Sequence, residues 1–169
     1  MLLTTESVKT YEATLKVIQY YELRWRIEEF HKAWKTGAGA ERQRMQSAEN
    51  LERMIVILSA IAVRLLRLKE SLEKDNNPDV TKKLCCTQVL TQDEYRLLWF
   101  SIQPKNKKKK PLPSKIPSLE WAYRAVAKLG GWNDSKKTGK ASWQTLWKGW
   151  FALQERLDGY LLAKEVAEL

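Results

Sequence analysis

The chain has 169 residues, 44% of them apolar and including eight tryptophans, enough for one domain or a small domain with an appendage. Thirty Lys plus Arg against twenty Asp plus Glu leave a net charge of +10, which points to a polyanionic partner, either nucleic acid or an anionic membrane surface. No run approaches the roughly 18 apolar residues of a membrane span, MLLTTESVKT lacks the basic start and long apolar run of a signal peptide, and two adjacent cysteines make neither a disulfide framework nor a metal site. The expected compartment is the cytoplasm, with both thiols reduced and no membrane partner.

Met1 to Thr5 reads as the tail of a strand with no partner elsewhere in the chain. Ser7 is the expected N-cap of a helix carrying Tyr11, Leu15, Ile18 and Leu23 and continuing through Lys35 to a loop at Thr36–Gly39. A second helix is expected from Ala48 to Lys74. Its stretch Ile55–Val63 is apolar nearly all round, as in a buried helix. Thr91 and Glu94 form the pattern of a capping box opening a third helix to Ile102. Pro104–Pro117 holds six lysines and four prolines and reads as an exposed linker. Ser118 should cap a short helix ending at Gly130 and Gly131, and Ser142 a terminal helix reaching Val166. The fold class is mainly α.

Residues 21–35 carry the chemistry. At about 100° per residue, Tyr21, Arg24, Glu28 and Lys35 fall within roughly a 60° arc, with Lys32 beside them. Leu23, Ile27, Phe30 and Trp34 group on another side and are expected to anchor the helix. A phenol, a guanidinium, a carboxylate and two ammonium groups on one face suit a metal-bound phosphodiester. The same spacing also makes an ordinary solvated ladder, because Arg24–Glu28 and Glu28–Lys32 are i,i+4 pairs. The lysine run in Pro104–Pro117 has two readings as well: a solvated linker, or a contact that tracks a DNA backbone.

The pattern Tyr21-x2-Arg24-x3-Glu28-x6-Lys35 resembles the Tyr-Arg-Glu-Lys motif of the insertion-sequence-four transposase family, and of its Tn-five-like members in particular. The likeness extends over Arg24–Met45, Asn50–Met54, Ala62–Leu66, and the late stretches Leu129–Trp132, Asp134–Lys136, Thr138–Gly139, Ala141–Trp143 and Leu157–Gly159. It is weakest over residues 75–117.

The resemblance implies that Glu28 is the catalytic, metal-binding glutamate of an Asp-Asp-Glu triad served by Mg²⁺ or Mn²⁺. It further implies that Tyr21, Arg24 and Lys35, with Lys32 and His31 beside them, hold transposon-end DNA during nicking, hairpin formation and strand joining. Trp25 either stacks on an unpaired base or packs in the core. In this family the two aspartates precede the glutamate, and no aspartate precedes Glu28 here. The resemblance thus implies the helical C-terminal part of an α/β ribonuclease-H-like transposase, truncated, with no strand cleavage by the chain alone.

The implied domains are residues 1–74 from the catalytic domain, a variable basic region at 75–117, and a dimerisation and DNA-contact domain at 118–169. Ser135, Lys136 and Ser142 are implied DNA contacts, although Ser142 also reads as a plain N-cap. Leu153, Leu157, Tyr160, Leu161 and Leu162 are implied to pack on a second copy, or on a full-length transposase, unless the helix is an intramolecular core element. Two other functions stay open: a non-catalytic regulator that pairs with full-length transposase, and a generic basic helical nucleic-acid-binding protein.

Overall fold

A computed structural model describes residues 4–72, 84–104, 106, 108–135 and 137–168. It is mainly helical, as expected. Among the described residues five α-helices follow in order: α1 (Tyr11–Lys32), α2 (Ala48–Glu70), α3 (Gln92–Ser101), α4 (Leu119–Leu129) and α5 (Trp143–Ala167). Most of the strand tail expected at the N-terminus, and the expected end of α2 at residues 73–74, lie outside the described residues.

The caps follow the sequence with one correction. Thr10, not Ser7, caps α1 by accepting from the Ala13 amide at 3.2 Å. The physical reason is position: Thr10 stands directly before the first helical residue with an extended backbone, and its hydroxyl serves nearly as well as serine's. Ser47, Ser118 and Ser142 cap α2, α4 and α5, and Thr91 with Glu94 forms a complete capping box on α3.

Two burial expectations are corrected. Leu23 and Ile27 do not anchor α1; they are 47% and 59% exposed, and no residue of the helix is fully buried. Apolar side chains are scattered around α1 without a continuous stripe, so only Phe30, followed by Trp34 just beyond the helix, reaches the core. Helix α2 is not buried all round either. Leu58, Ala62, Leu65 and Leu68 form its buried stripe, while Val56, Ile57 and Val63 face outward.

Among the described residues the core draws on side chains spread from Phe30 to Leu153. Helices α4 and α5 cross at backbone distance. A Cβ on Gly149 would meet the Val126 carbonyl oxygen at 1.9 Å, and one on Gly130 the Thr145 carbonyl oxygen at 2.0 Å. Only glycine permits that approach. The segment before α3 is sewn to the start of α4 by Cys86 N–H donating to Pro117 O at 2.8 Å and Leu119 N–H to Leu84 O at 2.9 Å.

Glu94, 3% exposed, is the buried charge at the junction of α2, α3 and α5. Its carboxylate accepts from Arg64 Nη2 at 3.1 Å, the Thr91 amide at 2.7 Å and Gln154 Nε2 at 2.9 Å. The Arg64 guanidinium also donates to Val89 O and lies 4.7 Å from the Trp150 ring centre. A buried carboxylate is tolerable only when its lone pairs are met in this way.

Candidate functional site

Helix α1 continues past Lys32 as a π turn, Ala33–Gly37, closed by the Ala38 amide donating to Ala33 O at 3.3 Å. A π turn takes in one extra residue, so everything after it is turned out of the register of an ideal helix. That changes the site. Tyr21, Arg24 and Glu28 share one exposed face, but Lys35 does not join them. Its ammonium pairs with Glu41 at 2.6 Å instead.

Arg24 is the centre of the face. Its guanidinium pairs with the Glu28 carboxylate one turn on, and its second nitrogen lies 3.5 Å from the Tyr21 hydroxyl. The same guanidinium carbon is 5.1 Å from the ring centres of both Tyr21 and Trp25. Arg24 thus lies between a carboxylate and two rings, with about half its side chain open to solvent. Trp25 itself is 54% exposed, so it is not a core residue.

Lys32, the last residue of α1, stands one turn after Glu28 and so beside the arc. It pairs at 3.1 Å with Glu29, which Lys69 of α2 approaches at 2.8 Å from the other side. Burial raises the Glu29 carboxyl, but hydrogen bonds from Lys69 and Lys32 outweigh that and hold it below the usual carboxylate range. Arg26 pairs with Glu70 at 3.4 Å along the same seam, and Trp25, Arg26, Glu29, Leu66, Lys69 and Glu70 line a crevice of about 60 Å³. The Lys69 ammonium lies 4.1 Å from the Trp143 ring centre, so one cation joins α1, α2 and α5. Sequence reasoning missed this seam, because its partners are 40 residues apart and no local spacing marks them.

The Mg²⁺ or Mn²⁺ expected from the resemblance is not accommodated by these residues alone. Glu28 is a single carboxylate already engaged by Arg24, and among the described residues no group of three or more His, Cys, Asp or Glu could hold a metal. A magnesium ion usually takes one or two carboxylates together with substrate phosphates.

Ser142 is occupied as the cap of α5, accepting from the Thr145 amide at 3.2 Å. Ser135 is exposed in a loop where its amide donates to the Thr138 hydroxyl at 3.1 Å. Lys136 lies outside the described residues. Beside that loop Asp134, at a φ of 50°, pairs with Arg124 at 2.5 Å and Lys128 at 3.2 Å. Of the residues expected on a second copy, Leu153 is instead fully buried in the chain's own core, because it faces inward on α5. Leu157 is half-buried, and Tyr160, Leu161 and Leu162 are exposed.

Residues 3–65, which hold the whole of this face, match the family model described as Transposase DDE domain. The match supports a DDE transposase family and a function related to transposition. Among the described residues, no helix is long and apolar enough to cross a membrane.

Proposed function

We propose that this chain serves DNA transposition by holding the phosphates of transposon-end DNA on the exposed face of α1. The observation that carries the reading is the placement of Arg24, a half-exposed guanidinium among Glu28, Tyr21 and Trp25 inside the segment that matches the transposase model. A planar guanidinium presents paired N–H donors that match two phosphate oxygens once a phosphate displaces the Glu28 carboxylate. Tyr21 adds a hydroxyl donor, and Trp25 an exposed ring for an unstacked base. Lys32 and Lys35 serve from flanking positions once a phosphate competes with Glu29 and Glu41.

Glu28 is the carboxylate this reading assigns to the catalytic triad of a DDE enzyme. Alone it supplies no metal pair, so the activity proposed for the chain by itself is binding. Ser135, Lys136 and Ser142 are assigned a second, weaker DNA contact. The exposed end of α5, with Tyr160, Leu161, Leu162 and the edge of Leu157, is assigned to a second copy or to a full-length transposase. Both roles fit the apolar side chains left in solvent there.

The test is a fluorescence-anisotropy titration of a labelled transposon-end duplex, with a strand-cleavage assay in Mg²⁺ or Mn²⁺ alongside. Arg24→Ala should weaken binding about 10- to 100-fold, the loss of a charge-assisted, two-point phosphate contact. Binding unaffected by Arg24→Ala would remove the reading. Cleavage product that appears with metal and vanishes in Glu28→Ala would overturn the assignment of binding alone.

A further inference from the structure

The lysine-rich stretch expected as an exposed linker is not free chain. Gln103, at the end of α3, accepts from the Lys110 amide at 2.6 Å and donates to the Lys110 carbonyl at 3.2 Å. The Trp99 indole N–H donates to Pro111 O at 3.1 Å, and its ring stands 5.8 Å from that of Trp121. Lys109, itself exposed, folds back on the end of α3, its ammonium donating to the Phe100 and Gln103 carbonyls at 3.1 Å each. Those carbonyls terminate α3, where a cation is favoured both by hydrogen bonding and by the helix dipole.

One lysine is thus consumed in fastening the strap, and its neighbours Lys108 and Lys110, with Lys115, are left exposed. Among the described residues none of these three ammonium groups has a carboxylate partner, although most of the other exposed cations of α1 and α2 noted above do. The bonds from Gln103 and Trp99 to Lys110 and Pro111 fix the starting point of the Lys110 side chain. Like charges near one another in sequence and without counter-charges repel. A polyanion running past them relieves that repulsion and releases its own counterions.

We infer that this strap is a second, sequence-independent contact for the DNA phosphate backbone, with Lys108, Lys110 and Lys115 touching phosphates and Lys109 acting as the fastener. The inference rests on the reading of the chain as a DNA-holding protein, but it concerns a surface separate in sequence from α1. The strap faces duplex DNA through charge alone, so it discriminates no base and contributes affinity for any flanking sequence.

The experiment measures the affinity of the full chain for a duplex of arbitrary sequence at several salt concentrations. Lys108→Ser/Lys110→Ser/Lys115→Ser is compared with wild type, Gln103→Ala and Arg24→Ala, circular dichroism confirming the helical content of each. The triple variant should reduce the slope of log affinity against log salt by about 2.7, the value for three lost phosphate contacts. Gln103→Ala leaves the charge unchanged and should weaken binding about three- to tenfold at fixed salt, because the lysines must then be ordered on binding.

An unchanged slope in the triple variant, while Arg24→Ala weakens binding, overturns the strap and leaves the α1 reading intact. A reduced slope in the triple variant with no effect of Arg24→Ala does the reverse. If the triple variant instead loses affinity for a poly-glutamate peptide and none for DNA, the partner is an acidic protein and the inference falls.

Discussion

The indole N–H of Trp147 donates to the carbonyl of Ala33 across 2.8 Å, tying the start of α5 to the end of α1. Ala33 opens the π turn, and the ring that reaches it lies where a side chain at Gly37 would be: a Cβ there would meet Trp147 at 1.8 Å. The turn that moves Lys35 off the Arg24 face is therefore a socket for Trp147. This contact links the end of α1 to the C-terminal helix, in addition to the Lys69–Trp143 contact. Gly37→Ala should overpack the socket and lower stability by about 1–3 kcal/mol, read from the urea midpoint. Trp147→Phe removes the donor and should cost about 1 kcal/mol or more from the lost bond, plus the volume lost in the core. Unchanged midpoints in both variants would mean that the two helices are not joined there.

Glu94 should behave as a hub rather than a surface charge. Glu94→Ala takes one partner each from Arg64, Gln154 and the Thr91 amide and removes half of a capping box, and should destabilise by about 1–3 kcal/mol in equilibrium denaturation. Arg64→Met/Glu94→Leu removes both charges and should recover much of that loss, since replacing a buried pair with apolar residues is often neutral or better. A loss in Glu94→Ala no larger than that of an exposed i,i+4 pair would contradict the hub.

Acid should loosen the seam between α1 and α2. The Glu29 carboxyl is held below its ordinary value of 4.5 in the folded chain, so it contributes stability that is present above that pH. This contribution is lost as pH falls through the lowered folded-state value. Glu29→Gln should therefore be less stable than wild type at pH 7, and the gap should close progressively below pH 4.5. A gap that is constant across that range would show that Lys69 and Lys32 do not stabilise the charged form.

The neighbouring thiols should differ in reactivity. Burial, with Cys85 alongside, pushes the Cys86 thiol up to about 11, whereas Cys85 is half-buried. At pH 8 a thiol-specific chromogenic reagent should label Cys85 in the folded chain and Cys86 only on unfolding, because the thiolate is the reacting form. Equal rates for both in the folded state would contradict the burial of Cys86.

What the sequence disclosed follows from range. Caps were legible at Thr91, Ser118 and Ser142, because capping acts within three residues, and the start of α2 at Ala48 was legible from its apolar periodicity. Tyr21, Arg24 and Glu28 were legible as one face because a regular α-helix connects them. Lys35 was misplaced because a π turn breaks the 3.6-residue count, and it is packed by Trp147, 114 residues distant from Ala33. The exposure of Leu23, Ile27, Val56 and Ile57 was not legible either. Apolar character indicates that burial is favourable, and only the packing partners present decide which faces obtain it. The strap of Lys108–Pro111 was hidden because proline and lysine composition suggests a linker, while its fastening depends on Trp99 and Gln103 side chains aimed at backbone atoms.

The most direct measurement of the DNA-holding face compares Glu28→Gln with wild type in duplex affinity, in metal-free buffer across a range of salt. In the free chain Glu28 occupies the Arg24 guanidinium that a phosphate would need. Neutralising the carboxylate should free Arg24 and tighten DNA binding about three- to tenfold, while Arg24→Gln/Glu28→Gln loses the gain. If Glu28→Gln leaves affinity unchanged or weakens it, the Arg24–Glu28 pair is an ordinary surface ladder and α1 does not hold DNA through this face.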